Sequence, residues 1–178
     1  MKRLQSISQH RVRRWFLVLL LANALYILFA GLYLRPLTSR EIIKFELAKE
    51  VHVAEAIVQD WTATGKYEKA IQSIYLDFLF ILLYTAGLSV TCVFISRFTA
   101  HEVLMRTGYF FSYLLVAAGI CDVIENVALL RSLHGSVNNW NVILAFDMAT
   151  TKFSILILAA LFIGVCLVFW PLRKIDMR

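Results

Sequence analysis

The chain has 178 residues, 60% hydrophobic and 17% charged, with a mean hydropathy of +0.72. A soluble domain is about half apolar and about a quarter charged; here long windows without Lys or Arg alternate with polar segments, as in repeated membrane spans. The net charge of +6 sits on basic residues that flank apolar runs, which argues against nucleic acid and for helix ends held at anionic lipid.

The first span is predicted over about 15–34, closed by Arg35-Pro36. It follows Lys2, Arg3, Arg11, Arg13 and Arg14, and Ala22-Asn23-Ala24 imitates a signal cleavage site. The apolar run continues to Leu34, past the core of about 7–15 residues typical of a cleaved signal, so it reads as an anchor that stays.

A helix over about 39–61 is predicted next. Ile43, Leu47, Val51, Ala54, Val58 and Trp61 recur at helical spacing, with Glu41, Lys44, His52, Glu55 and Gln59 on other faces. Thr38-Ser39 can cap its start, and Glu41 and Glu46 lie toward the positive end of its dipole. A break at 62–65 precedes a second helix that runs on into the next span. The pattern fits an amphipathic helix lying on the bilayer or capping the bundle; the sharper alternative is a lid over a ligand cavity.

The second span is predicted over about 74–96, closed by Arg97, and the third over about 109–130, closed by Arg131. The fourth runs over about 142–170, ending at Trp170-Pro171. Each exceeds the ~20 residues that cross ~30 Å of hydrocarbon. Trp15, Tyr33, Tyr75, Tyr109, Trp140 and Trp170 lie near span ends, where amphipathic rings favour the interface. The five basic residues before the first span, with Arg97, Arg106, Arg173, Lys174 and Arg178, place both termini in the cytoplasm of a cell (inner) membrane protein. The fold expected is therefore an all-α four-transmembrane-helix bundle forming one integral membrane domain over 1–178, with an amphipathic extracytoplasmic helix between spans one and two. Ala117, Ala118 and Gly119, and the pair Ala160 and Gly164, are small enough to allow close helix contact.

Ionisable residues inside hydrocarbon cost roughly 2.5–3.5 kcal/mol each at a helix centre, and so demand partners or water. This chain carries Asp77 in span two, Asp122 and Glu125 in span three, and Asp147 and Lys152 in span four. Asn126 adjoins Glu125, Tyr84 lies two turns beyond Asp77, and Asn23 and Tyr26 lie in span one. With the first span running outward, Asp77 and Asp147 fall ~5 and ~7 Å below the outer ends of their spans and Lys152 ~15 Å below. Asp122 and Glu125 fall ~20 and ~24 Å from the inner end of theirs, so the charges gather in the outer half. Asp122, Glu125 and Asn126 share a helix face, with Lys152 their natural cation. Four carboxyls against one lysine leave an excess, so at least one carboxyl is expected to be protonated or hydrated.

Other chemistry finds little support. Cys92, Cys121 and Cys166 sit in apolar spans without a C-x-x-C spacing and read as small hydrophobes. His10, His52, His101 and His134 lie outside the spans, which argues against a bundle-ligated haem or intramembrane zinc. No glycine-rich phosphate loop is present. No metal or cofactor is expected.

Phe45-Glu46-Leu47-Ala48 and Trp61 are followed by Leu76-Asp77-Phe78-Leu79-Phe80 with Tyr84, by Ala118-Gly119-Ile120-Cys121-Asp122 with Glu125-Asn126, and by Lys152-Phe153. In this combination the chain resembles a group of small bacterial four-span integral membrane proteins with no established activity. The resemblance implies a fold and no reaction. The function expected is a non-enzymatic membrane protein whose outward-facing polar cluster of Asp77, Tyr84, Asp122, Glu125, Asn126, Asp147 and Lys152 binds a small polar ligand, ion or lipid headgroup. One alternative is a structural or accessory subunit of a larger membrane complex, whose cluster is an interhelical clamp; the partners expected besides the lipid bilayer and a small ligand are such a complex or further copies of the chain in a homo-oligomer. The other is a lipid-modifying enzyme using Asp122 or Glu125 as acid–base.

Overall fold

The computed structural model describes residues 8–135 and 137–176, with backbone only over 170–176. The described residues form six helices and no strand: α1 (Gln9–Tyr33), α2 (Ser39–Glu46), α3 (Val51–Ala63), α4 (Tyr67–Thr99), α5 (Glu102–His134) and α6 (Asn139–Asp176). Four of them, α1, α4, α5 and α6, are long and apolar enough to cross a membrane. The basic Lys2, Arg3 and Arg178 lie outside the described residues, as do the side chains of Trp170, Arg173 and Lys174. The α6 backbone continues past the expected stop at Trp170-Pro171 to Asp176.

The long helices are not equivalent partners. Helices α4, α5 and α6 all pack on one another, whereas α1 packs chiefly on α4. The most apolar stretch of α1 has no buried residue, and Leu20, Leu21, Leu25 and Leu28 are all exposed. The expected four-helix bundle is thus a three-helix core with one flanking helix. Two polar side chains hold that flank in place: Asn23 Nδ2 donates to the Leu83 carbonyl at 2.9 Å and Tyr26 OH to the Leu76 carbonyl at 2.7 Å. Where a helix has little buried area, such bonds and the Phe16–Phe94 stack at 4.7 Å set its register.

At 33 residues each, α4 and α5 reach ~50 Å, more than the ~30 Å of a hydrocarbon layer. One end of the three packed helices is covered by α2 and α3. Phe45, Ala48, Ala54 and Trp61 from this cap pack with Ala70, Ile74, Ala128, Leu129, Leu133, Val142 and Ala145 into one core. Phe45 meets Trp61 edge-on at 5.1 Å. A second core, of Cys92, Leu115, Ala159, Phe162 and Cys166, fills the other half.

The single helix expected over 39–61 is two helices, interrupted at 47–50. The interruption resets the rotational phase. Val51, Ala54, Val58 and Trp61 face the core as their spacing predicts, but Ile43 and Leu47 are exposed, and Phe45, Glu46 and Ala48 are buried instead. The expected break after Trp61 is present: α3 stops at Ala63, Gly65 turns the chain at φ +69°, and α4 runs unbroken from Tyr67.

Helix α2 starts at a complete capping box. Thr38 Oγ1 accepts from the Glu41 amide while the Glu41 carboxylate accepts from the Thr38 amide at 2.9 Å. Lys66 reaches the same carboxylate at 2.6 Å, and its ammonium, helped by Thr38, holds the Glu41 carboxyl down at about 2. The stabilisation is therefore complete at neutral pH and is lost as pH falls from about 4.3 toward the folded value. Thr38→Ala is expected to cost about 1 kcal/mol, read as a lower melting temperature of the buried Trp61 fluorescence in detergent micelles.

Candidate functional site

Between the two apolar cores lies a polar layer, contributed by α2, α4, α5 and α6. Lys152 of α6 is 5% exposed and is its only cation among the described residues. Its Nζ donates to Asp122 Oδ1 at 2.6 Å, lies 2.9 Å from Glu125 Oε2 and 3.5 Å from Glu46 Oε2. The Glu125 contact is an ion pair without hydrogen-bond alignment, and that side chain is fully buried. Tyr84 OH, from α4, donates to the other Asp122 oxygen at 2.7 Å. One turn toward the cap, Asn126 Nδ2 donates to Asp77 Oδ2 at 2.8 Å, tying α5 to α4 a second time.

Helical geometry explains this convergence. Asp122, Glu125 and Asn126, three and four residues apart, share one stripe of α5 that faces both neighbours. Asp77 and Tyr84, seven residues apart, repeat on one stripe of α4. Six of the seven residues singled out in the sequence thus meet in one layer. Asp147 does not: it is exposed, and Thr151 Oγ1 bonds to its backbone carbonyl. Five residues separate it from Lys152, which turns it roughly 140° around α6, away from the cluster.

Glu46 is the member that the sequence reading placed elsewhere. Counted as a helix-dipole residue of a continuous helix, it is instead the last residue of α2, 9% exposed and aimed at Lys152. Its signal was an acidic residue between two apolar ones in Phe45-Glu46-Leu47. Burial pushes the Glu46 carboxyl above its ordinary value against the pull of the Lys152 ammonium. An acid held up on folding destabilises the fold once pH passes its unfolded value. Glu46→Gln is therefore expected to match wild type near pH 4 and to exceed it in stability at pH 8. Melting curves across that range, with no widening gap, would show Glu46 to be an essential ion-pair partner instead.

A cavity of about 320 Å³ opens beside the layer, between α1, α2, α4 and α5. Its lining is mostly apolar: Ile27 and Ala30 of α1, Leu34 just after it, Ile42 of α2, Leu76 and Phe80 of α4. Its polar lining comprises Glu46, Asp77 and Asn126, with Tyr26, Ser39 and Ser73. Lys152, Asp122, Glu125 and Tyr84 do not line it. The layer therefore has two parts. One is an interlocked ion-pair network joining α4, α5 and α6; the other is an acidic and amide surface facing open space. Glu46 belongs to both. Compared with protein-family models, curated proteins and solved structures, the chain matches none of them.

Proposed function

We propose that this chain is a non-enzymatic, multi-pass protein of a bacterial cell (inner) membrane that binds a small polar ligand or lipid headgroup within the membrane. The observation that carries the reading is the cavity, mostly apolar in its lining but including the side chains of Glu46, Asp77 and Asn126. Binding sites for small molecules are commonly concave and mostly apolar, with a few convergent polar groups, and occupy about 300–1,000 Å³. Both termini are assigned to the cytoplasm, since Arg11, Arg13 and Arg14 precede α1 and Arg97 and Arg106 flank the α4–α5 turn. That orientation puts α2 and α3 on the extracytoplasmic side as an amphipathic cover, with the cavity beneath its edge.

The test uses Gly31, which lines the cavity and where an added Cβ would meet nothing within 4 Å. Gly31→Phe is expected to fold normally and to obstruct the space. Wild-type chain in nanodiscs of mixed phosphatidylcholine, phosphatidylethanolamine and phosphatidylglycerol should release into native mass spectrometry with a bound lipid or metabolite. Gly31→Phe and Asp77→Asn should release bare. Equal retention by all three would sink the reading.

A second reading is favoured for one part of the layer. Lys152, Asp122 and Glu125 are each at most 5% exposed and line no cavity, which suits an interhelical clamp. The clamp and the binding surface are then neighbours sharing Glu46, and an accessory subunit of a larger membrane complex would need only the former.

A further inference from the structure

Resting on the binding reading, we infer that the occupant of this cavity is an organic cation: an ammonium group carried on a single apolar stem. Charge comes first. Among the described residues of the layer, Glu46, Asp77, Asp122 and Glu125 supply four carboxyls against one ammonium, that of Lys152. That ammonium is already surrounded, by Asp122 at 2.6 Å, Glu125 at 2.9 Å and Glu46 at 3.5 Å. Among the described residues Asp77 accepts a hydrogen bond from the neutral Asn126 amide at 2.8 Å, has no ion-pair partner within 4 Å, and lines the cavity. A carboxylate removed from water gains most from a counter-charge. The lining contains no Lys or Arg to supply it, and none to meet an anion.

Two further features select the class of cation. Tyr26 and Phe80 stack at 5.4 Å on the cavity wall, and aromatic faces attract ammonium groups. Among the described residues no three His, Cys, Asp or Glu side chains are grouped to hold a metal ion, and the long apolar wall of Ile27, Ala30, Leu34, Leu76 and Phe80 would be idle with an inorganic ion. The cavity's 320 Å³ sits at the small end of ligand pockets, suited to one chain rather than two. A zwitterionic phospholipid headgroup would bring a phosphate for which the lining offers no Lys or Arg. The geometry therefore favours a net-cationic, single-chain amphiphile.

The experiment is thermal unfolding of the full chain in phosphatidylcholine nanodiscs with added decylamine, decyltrimethylammonium, decanol or decyl sulfate. All four probes partition into the bilayer, so the last two control for membrane effects. The two cations are expected to give a saturable rise in melting temperature, roughly 5–10 °C at a hundredfold over half-saturation. Asp77→Asn and Glu46→Gln should each weaken half-saturation about tenfold or more. Glu46→Gln is expected to be at least as stable as wild type at the pH used, so its lost response would not reflect misfolding. An equal shift with decanol, or a full response in Asp77→Asn, overturns the cation. Stabilisation by decyl sulfate alone, or by phosphatidylethanolamine nanodiscs without any response to decylamine, keeps the binding site but reassigns its ligand. Silence from every probe and lipid overturns both readings.

Discussion

Replacing Lys152 with methionine is expected to produce the largest loss of stability of any single substitution in this chain. The methionine side chain fills much the same volume, so the change is one of charge. Asp122, Glu125 and Glu46, held at 2.6, 2.9 and 3.5 Å from the lost ammonium, would face one another with no counter-charge. Removing one partner of a buried ion pair costs about 3–5 kcal/mol, a large part of a margin of about 5–15 kcal/mol. The melting temperature should fall by roughly 6–20 °C. A compensating pair of changes separates charge from packing: adding Asp122→Asn and Glu125→Gln to Lys152→Met should recover most of the loss, because the layer then holds fewer unpaired charges. A Lys152→Met chain that melts with wild type would mean that the network contributes nothing to assembly.

This expectation differs from what burial in the sequence alone suggests. Read as one cluster, the intramembrane charges invite a single role. The structure separates them by what they face. Asp122, Glu125 and Lys152 face one another, whereas Asp77 and Asn126 face a cavity. The separation follows from the short helix α2, which brings Glu46 into the layer and leaves a gap beside α1. Neither event has a periodicity that the long helices would display.

The long helices were legible because apolar length is a local property, readable from 20 residues at a time. The stripe of Asp122, Glu125 and Asn126 was legible for the same reason, since i, i+3 and i+4 fix a face. Three features were not. Asp147 is acidic and within the fourth predicted span, but its distance from Lys152 by rotation matters more than its distance in sequence. Glu46 changes meaning because the helix restarts at Val51, and an interruption of four residues rotates every later side chain. The peripheral place of α1 depends on which helices pack together, and its sequence is as apolar as the others.

Small residues make the same point about faces. Ala118 and Gly119 are buried as expected, and a Cβ on Gly119 would come within 2.7 Å of Thr85 Oγ1. Ala117 and Ala160 are exposed, and a Cβ added at Gly164 would meet nothing within 4 Å. The α6 contacts are made instead by Ala159 and Cys166. A small-residue spacing identifies a possible crossing, and the rest of the helix decides which side of it is used.

Gly108 was not among the expected contacts, yet it marks a close approach of α4 and α5. A Cβ built there would lie 2.7 Å from Ser96 Cβ and 2.9 Å from the Cys92 carbonyl oxygen, distances that real carbon atoms do not keep. The carbonyl is backbone, so relief requires the two helices to separate. Separation there would also loosen the core of Cys92, Leu115 and Phe162, since both helices continue rigidly through it. Gly108→Leu is accordingly expected to cost at least the about 1–3 kcal/mol of overpacking, with a fall of several degrees in melting temperature. Gly164→Leu, with the same added volume in open space, serves as the control and should melt within about 1–2 °C of wild type. The contrast isolates helix approach from side-chain hydrophobicity, because both variants add the same leucine to a helix. Equal melting of the two would mean that the α4–α5 crossing near Ser96 is loose enough to admit a side chain, and that the ion-pair layer alone holds these helices together.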